Sequence, residues 1–367
     1  MNSEPAPRSL VVSAPGKVIL HGEHAVVHGD VVLVNTAFKS KNSLVAKCLN
    51  SALLASVADF DESKSPSAEQ LDALREFAGI AAESSAPDSL ATLAFLYMCL
   101  AISAKYGDVP SVDIIVWSEL PTGAGLGSSA AYSVCVAAAL LAACGAVACP
   151  WTEEELSLIN SWAFQGERVI HGNPSGVDNA VGTWGRGPGD DVSLARRVPT
   201  LRILLTNTKV PRSTKVLVAG VKDKILKFPA IMNPVLDSIN AISQECQSVL
   251  EAMPGNPSPE YYPVLEELFD INQHHLNVLG VGHPCLDRLC RVTASHGLHS
   301  KLTGAGGGGC GVTLLRPGGA EPPSAATYRD LCACGFECWE TNIGAPGVSL
   351  HCPSALKAEV LRALGMS

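Results

Sequence analysis

Pro121-Thr122-Gly123-Ala124-Gly125-Leu126-Gly127-Ser128-Ser129-Ala130-Ala131 decides how this chain is read. Three glycines at alternating positions lead into two serines and then an alanine-rich run to Cys144. Glycine permits positive φ and lets a ligand approach the main chain. The run from Ala130 to Cys144 holds almost no breaker and reads as a buried helix. The loop therefore ends at a helix N-terminus, where free N–H groups and the helix dipole favour an anion. A phosphate suits that position, and the serine hydroxyls can cap the helix or reach a metal on the phosphate. Two familiar phosphate loops do not fit. The P-loop ends in Gly-Lys-Ser/Thr and no lysine lies here, while the dinucleotide fingerprint needs Gly-x-Gly-x-x-Gly. The competing reading is a glycine turn packed closely on a neighbour.

The 367 residues allow one very large domain or two ordinary ones. A net charge of −9 without a basic stripe argues against nucleic acid or an anionic membrane as main partner. An anionic substrate must then be met by local positive charge. Residues 1–8 carry no signal-peptide core, and no run of transmembrane length is read, Val134 to Ala143 coming nearest. Thirteen cysteines, an odd number in a long chain, read as free thiols in a reducing compartment. Cys332, Cys334, Cys338 and Cys352 with His351 lack paired C-x-x-C knuckles and read as buried free cysteines in a strand. His21, His24 and His28 follow a strand-like alternation that turns, and read as core or turn histidines.

The periodicity predicts an α/β mixture. Strands are expected over 9–13, 17–20, 112–118, 201–207, 311–315 and 348–352. Helices are expected over 68–82, 89–105, 130–144, 153–172, 215–228, 231–253, 260–279, 286–295 and 328–334. Residues 31–65 lack the alternation of a good strand. Residues 185–198 read as a linker, rich in glycine, proline and charge.

Within the 153–172 helix, capped by Thr152, the residues Leu156, Ile159, Ala163 and Ile170 form one stripe, and Glu167 lies inside it. A carboxylate aimed inward is expensive unless paired or bound to a metal. An internal salt bridge to Lys or Arg is the plainer reading. Gly172 ends this helix, and the loop 173–179 brings a second acid, Asp178. Two acids separated by a sharp turn can face one cleft, one holding Mg²⁺ and the other handling a proton. Lys17, on the rigid turn Ser13-Ala14-Pro15-Gly16-Lys17, offers a local cation for phosphoryl oxygens or else a hairpin surface charge. The second glycine run, Gly304-Ala305-Gly306-Gly307-Gly308-Gly309, follows Lys301-Leu302-Thr303 and can lie against a ligand or another domain.

With Ala14-Pro15-Gly16-Lys17, the 121–130 loop and Lys301 to Gly309 in this order, the chain resembles the GHMP kinases. Within them it is most similar to the branch that phosphorylates mevalonate, through Val18 to Val27, Trp162 to Arg168, Gly172 to Asn179 and Thr206 to Arg212. The resemblance implies an α/β (α+β) fold. An N-terminal domain like ribosomal protein S5 domain 2 (1–199) and a ferredoxin-like C-terminal domain (200–367) would hold the site between them. It implies ATP-dependent phosphorylation of the 5-hydroxyl of (R)-mevalonate, in isoprenoid and sterol synthesis. Catalysis would fall to Asp178 and Lys17, and Mg²⁺ to Ser129 and Glu167. ATP would lie on Ser118, Pro121, Gly123, Ala124, Gly125, Leu126, Gly127, Ser128 and Ser129. Glu23, His24, Ser175, Arg212, Thr214, Gly304 and Ala305 would surround the substrate. A homodimer, inhibition by prenyl diphosphates, and a cytoplasmic setting with the peroxisome as alternative are also implied. Residues 31–65 and 185–197 depart from the family pattern, which puts the adenine side of the pocket in question. Another small alcohol as substrate, or an impaired binding paralogue, are the alternatives.

Overall fold

The computed structural model describes residues 10–24, 33–36, 64–82, 84–107, 115–116, 118, 120, 124–185, 199–253, 258–317, 325–352, 354, 356 and 358–363. Strands β1 (Val11–Ser13), β2 (Lys17–His21) and β3 (Leu33–Thr36) come first. Helices α1 (Ala68–Ala78), α2 (Pro87–Tyr106), α3 (Ser128–Ala143), α4 (Glu153–His171) and α5 (Val177–Trp184) follow. The second half runs β4 (Leu201–Asn207), α6 (Thr214–Lys227), α7 (Pro229–Ala252), a 3₁₀ turn (Pro259–Tyr261), α8 (Tyr262–Leu279) and α9 (Pro284–Ser295). It continues with β5 (Ser300–Leu302), β6 (Cys310–Leu315), α10 (Ala325–Ala333), β7 (Glu337–Ile343), β8 (Ser349–His351) and α11 (Ala358–Ala363).

The helices start and stop where local chemistry directs. Thr152 and Glu155 make a reciprocal capping box at the head of α4, as Ser67 and Gln70 do for α1. From β4 to β7 the order is strand, helices, two strands, helix, strand, and the sheet runs β5-β6-β4-β7 with every pair antiparallel. That is the split β-α-β of a ferredoxin-like unit. The carboxyl end of the chain returns to the amino end, with β8 pairing antiparallel with β1 from Val11↔His351 to Ser13↔Ser349. One apolar core joins Val18 and Leu20 of β2, the whole centre of α2, α3, Trp162 of α4, Leu201, Ile203 and Leu205 of β4 and Phe269 of α8.

Several sequence expectations change. Residues 173–179 are not all loop, because Gly176 (φ 82°) turns the chain and α5 begins at Val177, so Asp178 sits in a helical first turn. Strand β5 was not expected, and the strand read through the tail cysteines lies further on, as β7, whose half-buried alternation was obscured by its cysteine- and glycine-rich setting. Of the tail cysteines only Cys338 is both buried and in a strand. Cys332 and Cys334 lie in and just past the last turn of α10, half-buried, and Cys352 is exposed. All twelve cysteines among the described residues are free. Among the described residues helix α2, not 134–143, is long and apolar enough to cross a membrane, but its residues from Leu93 to Ile102 are all buried by the protein itself. Leu33–Thr36 does form a strand, paired antiparallel with β2. The rest of 31–63 lies outside the described residues, as do 108–114, 186–198 and His28.

Candidate active site

Lys17 opens β2, and its backbone N–H donates to the Leu126 carbonyl at 2.8 Å, which pins the first glycine loop to the strand. At Gly127 the backbone is left-handed (φ 71°), and a Cβ there would lie 2.9 Å from Lys17 Cγ and 3.7 Å from Asp178 Oδ2. Only glycine lets the three approach. Beyond it α3 begins at Ser128 with no side chain capping its N-terminus, so its first-turn N–H groups are left uncapped by any side chain. Lys17 Nζ lies 3.1 Å from Asp178 Oδ1. Asp178 itself sits where the α5 dipole favours a negative charge.

Glu167 stands one helical turn beyond Ala163 on the buried stripe of α4, as its spacing predicts. The plainer expectation of a salt bridge to Lys or Arg is not met among the described residues. Its Oε1 has no hydrogen-bond partner there. Burial first, and the Asp178 charge second, push the Glu167 carboxyl up to about 7; the Ser129 hydrogen bond and the Lys17 charge oppose this. The Asp178 charge therefore reaches Glu167. Ser129 Oγ is 3.0 Å from His171 Nε2, which in turn is 4.0 Å from Glu167 Oε2. Burial lowers the His171 pKa, against the Asp178 charge. A hydroxyl beside a buried carboxylate with one orphaned oxygen fits a hard, oxygen-seeking cation such as Mg²⁺. His171 was missed in the sequence; its signal is the i+4 spacing from Glu167.

Arg212 lies between the two glycine loops. Its Nη2 donates to the Ala124 carbonyl at 3.1 Å and its Nη1 to the Gly306 carbonyl at 3.4 Å. A Cβ on Gly125, Gly304 or Gly309 would meet its guanidinium at 1.6, 3.3 and 2.8 Å. Burial lowers the Arg212 pKa. The second loop also rests on Val281, whose carbonyl accepts from Gly307 N at 2.7 Å, and on His24, whose Nε2 is 2.9 Å from the Ala305 carbonyl. His24 takes a left-handed backbone (φ 65°), an uncommon choice for a residue with a side chain.

Glu23 has a different setting. It is fully buried and paired with Lys301 Nζ, while Asn272 Nδ2 donates to it at 3.0 Å. Burial raises the Glu23 pKa, and burial lowers that of Lys301. His21 packs edge-on against Phe269 at 5.2 Å, so it is a core histidine. Thr303 adds a further tie, accepting from Ile19 N at 3.1 Å and donating to Ile19 O at 2.9 Å. The structure thus gathers Lys17, Asp178, Gly127, Ser129 and Glu167 in one cleft. Arg212, Gly304, Ala305 and His24 line the contact of the second loop with the first half. Ser175 Oγ accepts from Val177 N at 3.4 Å at the start of α5, and Thr214 is exposed at the start of α6. Ser118 is an isolated bridge residue, and Pro121 and Gly123 lie outside the described residues.

The GHMP kinases N terminal domain profile matches residues 84–186, and the GHMP kinases C terminal profile matches 263–326. The mevalonate kinase of Bos taurus is 55% identical over 388 residues, covering 97% of this chain and 98% of its own. The chain belongs to the mevalonate kinase family. The Homo sapiens member is 54% identical over the same shares, and that of Dictyostelium discoideum 36%, over 93% of this chain and 96% of its own. Among solved structures, L. major mevalonate kinase in complex with R-mevalonate matches at a TM-score of 0.66 and 22% identity, over 94% of this chain and all of that one. Lactococcus lactis galactokinase matches at 0.62 and 16%, over 92% and 95%. At such identities the structures establish the shared GHMP fold, and it is the sequence relatives that single out the mevalonate kinases within it.

Proposed function

We propose that this chain transfers the terminal phosphoryl group of ATP to the 5-hydroxyl of (R)-mevalonate, yielding 5-phosphomevalonate and ADP. The observation that carries the reading is Lys17 and Asp178, 3.1 Å apart, beside Gly127 and the uncapped head of α3. Phosphoryl transfer asks for in-line placement and charge neutralisation more than for a strong base. Asp178 accepts the hydroxyl proton as the substrate oxygen attacks the γ-phosphorus, and the bond from that phosphorus to the β–γ bridging oxygen breaks. Lys17 donates to the oxygens of the moving phosphoryl group and holds Asp178 in place. The α3 N–H groups receive the charge of the phosphate chain, and Arg212, held between the two glycine loops, belongs with the groups around the substrate. Ser129 and Glu167 would hold Mg²⁺, which supplies charge neutralisation on the phosphates when bound. His24, Ala305 and Gly304 lie near the substrate end, and Ser175 and Thr214 belong to its outer rim.

A homodimer is the expected assembly, supported by the exposed Leu226, Phe228 and Ile231 at the turn between α6 and α7. Prenyl diphosphates would compete with ATP for the same cradle. The free thiols support a cytoplasmic setting, with the peroxisome as alternative. Domains of 1–199 and 200–367 remain our division, with β8 crossing back to β1. A coupled ADP-release assay with ATP, Mg²⁺ and mevalonate, phosphomevalonate, galactose or homoserine tests the function. Release with mevalonate alone is expected. Equal turnover of galactose or homoserine would overturn the substrate, and no turnover at all would favour a binding role.

A further inference from the structure

A serine hydroxyl carries one proton and two lone pairs. To offer a lone pair to a cation, Ser129 must direct its proton at some other acceptor. Two acceptors reach it: the Glu167 carboxylate, which is hydrogen-bonded to Ser129, and His171 Nε2 at 3.0 Å. In the reading above Glu167 itself faces the cation, and a carboxylate committed to a cation is a poorer acceptor for the hydroxyl. His171 then remains. We propose that His171 is the positioning residue of the cation site: its Nε2 accepts the Ser129 proton and turns the hydroxyl lone pairs towards Mg²⁺.

The placement of the ring follows from the helix. His171 is the last residue of α4, one turn beyond Glu167, and its side chain is half exposed. Gly172 ends the helix with φ 78° and an N–H donated to the Arg168 carbonyl at 2.8 Å, so the terminus carrying the imidazole is defined by the backbone. A histidine at a helix C-terminus also complements the dipole when charged. A residue with that role alone would affect stability and leave cation affinity unchanged.

The inference rests on the assignment of Ser129 and Glu167 to the cation, so the experiment reads both. Mn²⁺ is titrated by electron paramagnetic resonance into the full-length protein saturated with a non-hydrolysable ATP analogue, with thermal melts run beside it. His171→Ala is expected to weaken Mn²⁺ binding about tenfold, the scale of one lost hydrogen bond. His171→Gln, whose amide oxygen can accept, is expected to stay within about threefold of the parent. Adding His171→Ala to Ser129→Ala is expected to cost nothing further. If Ser129→Ala weakens Mn²⁺ binding and His171→Ala does not, the inference falls and the cation assignment stands. His171→Gln as weak as His171→Ala, or losses that add, would also overturn it. Parental affinity in both Ser129→Ala and Glu167→Gln would remove the cation assignment and the inference together.

Discussion

Glu167→Gln should make the metal-free protein more stable and the loaded enzyme worse. In the folded chain burial and Asp178 raise the Glu167 carboxyl from the ordinary 4.5 to about 7, and only 4% of the side chain is exposed, so solvent screens it little. At 1.36 kcal/mol per tenfold change in proton affinity, the charged form is disfavoured by about 3 kcal/mol. Below pH 4.5 the folded and unfolded chains both hold the proton and nothing is lost. As pH rises towards 7 the unfolded chain releases it first, so the folded state loses stability, and above 7 the full penalty is present. Glutamine keeps the shape without the charge. With an unfolding entropy of about 2.1 cal/mol/K per residue, the gain at pH 8 corresponds to a Tm rise of about 4 °C if the chain melts as one unit. The assay is calorimetry of both proteins in EDTA from pH 4.5 to 8. The difference should grow with pH and level off above 7. The same substitution should raise the Mg²⁺ concentration needed for half-maximal turnover. A Glu167→Gln protein that melts lower at pH 8, with an unchanged Mg²⁺ requirement, would refute the reasoning and restore a stabilising internal salt bridge.

Gly127→Ala should cut kcat about a hundredfold, because its Cβ would displace Lys17 from Asp178 and an alanine at φ 71° is strained; steady-state kinetics with unchanged turnover would show that the close approach is dispensable. Lys301→Met should destabilise the fold by about 3–5 kcal/mol in urea, since it strands the buried Glu23 carboxylate, and adding Glu23→Gln should recover most of the loss. Additive losses would mean that the two groups act independently.

Much of this was legible in the sequence because the informative residues act locally. Glycine spacing, the Thr152 cap and the Glu167 stripe each depend on neighbours within a turn or two, and each lies where the pattern placed it. Asp178 was legible as an acid near Glu167. Its place in a short helix was not, because Gly176 stops one turn and starts another within a few residues. The Glu23–Lys301 pair joins positions 278 apart in the chain, and no periodicity reports such a contact. The return of β8 to β1 is equally non-local. His171 carried a local signal, but a histidine at a helix end has an ordinary explanation in the dipole, which hid it.

The central claim is that the carboxylate of Asp178, held against Lys17, acts in the transition state. It is tested most directly by measuring kcat with ATP and mevalonate for Asp178→Ala, and the affinity of a non-hydrolysable ATP analogue in the same preparation. A group used only as the hydroxyl proton leaves should cost several orders of magnitude in kcat when removed, about 10³-fold or more, with nucleotide affinity within about threefold of the parent. A variant that turns over mevalonate at close to the parental rate, or that loses nucleotide binding in step with kcat, would contradict the account and leave Asp178 as a structural partner of Lys17.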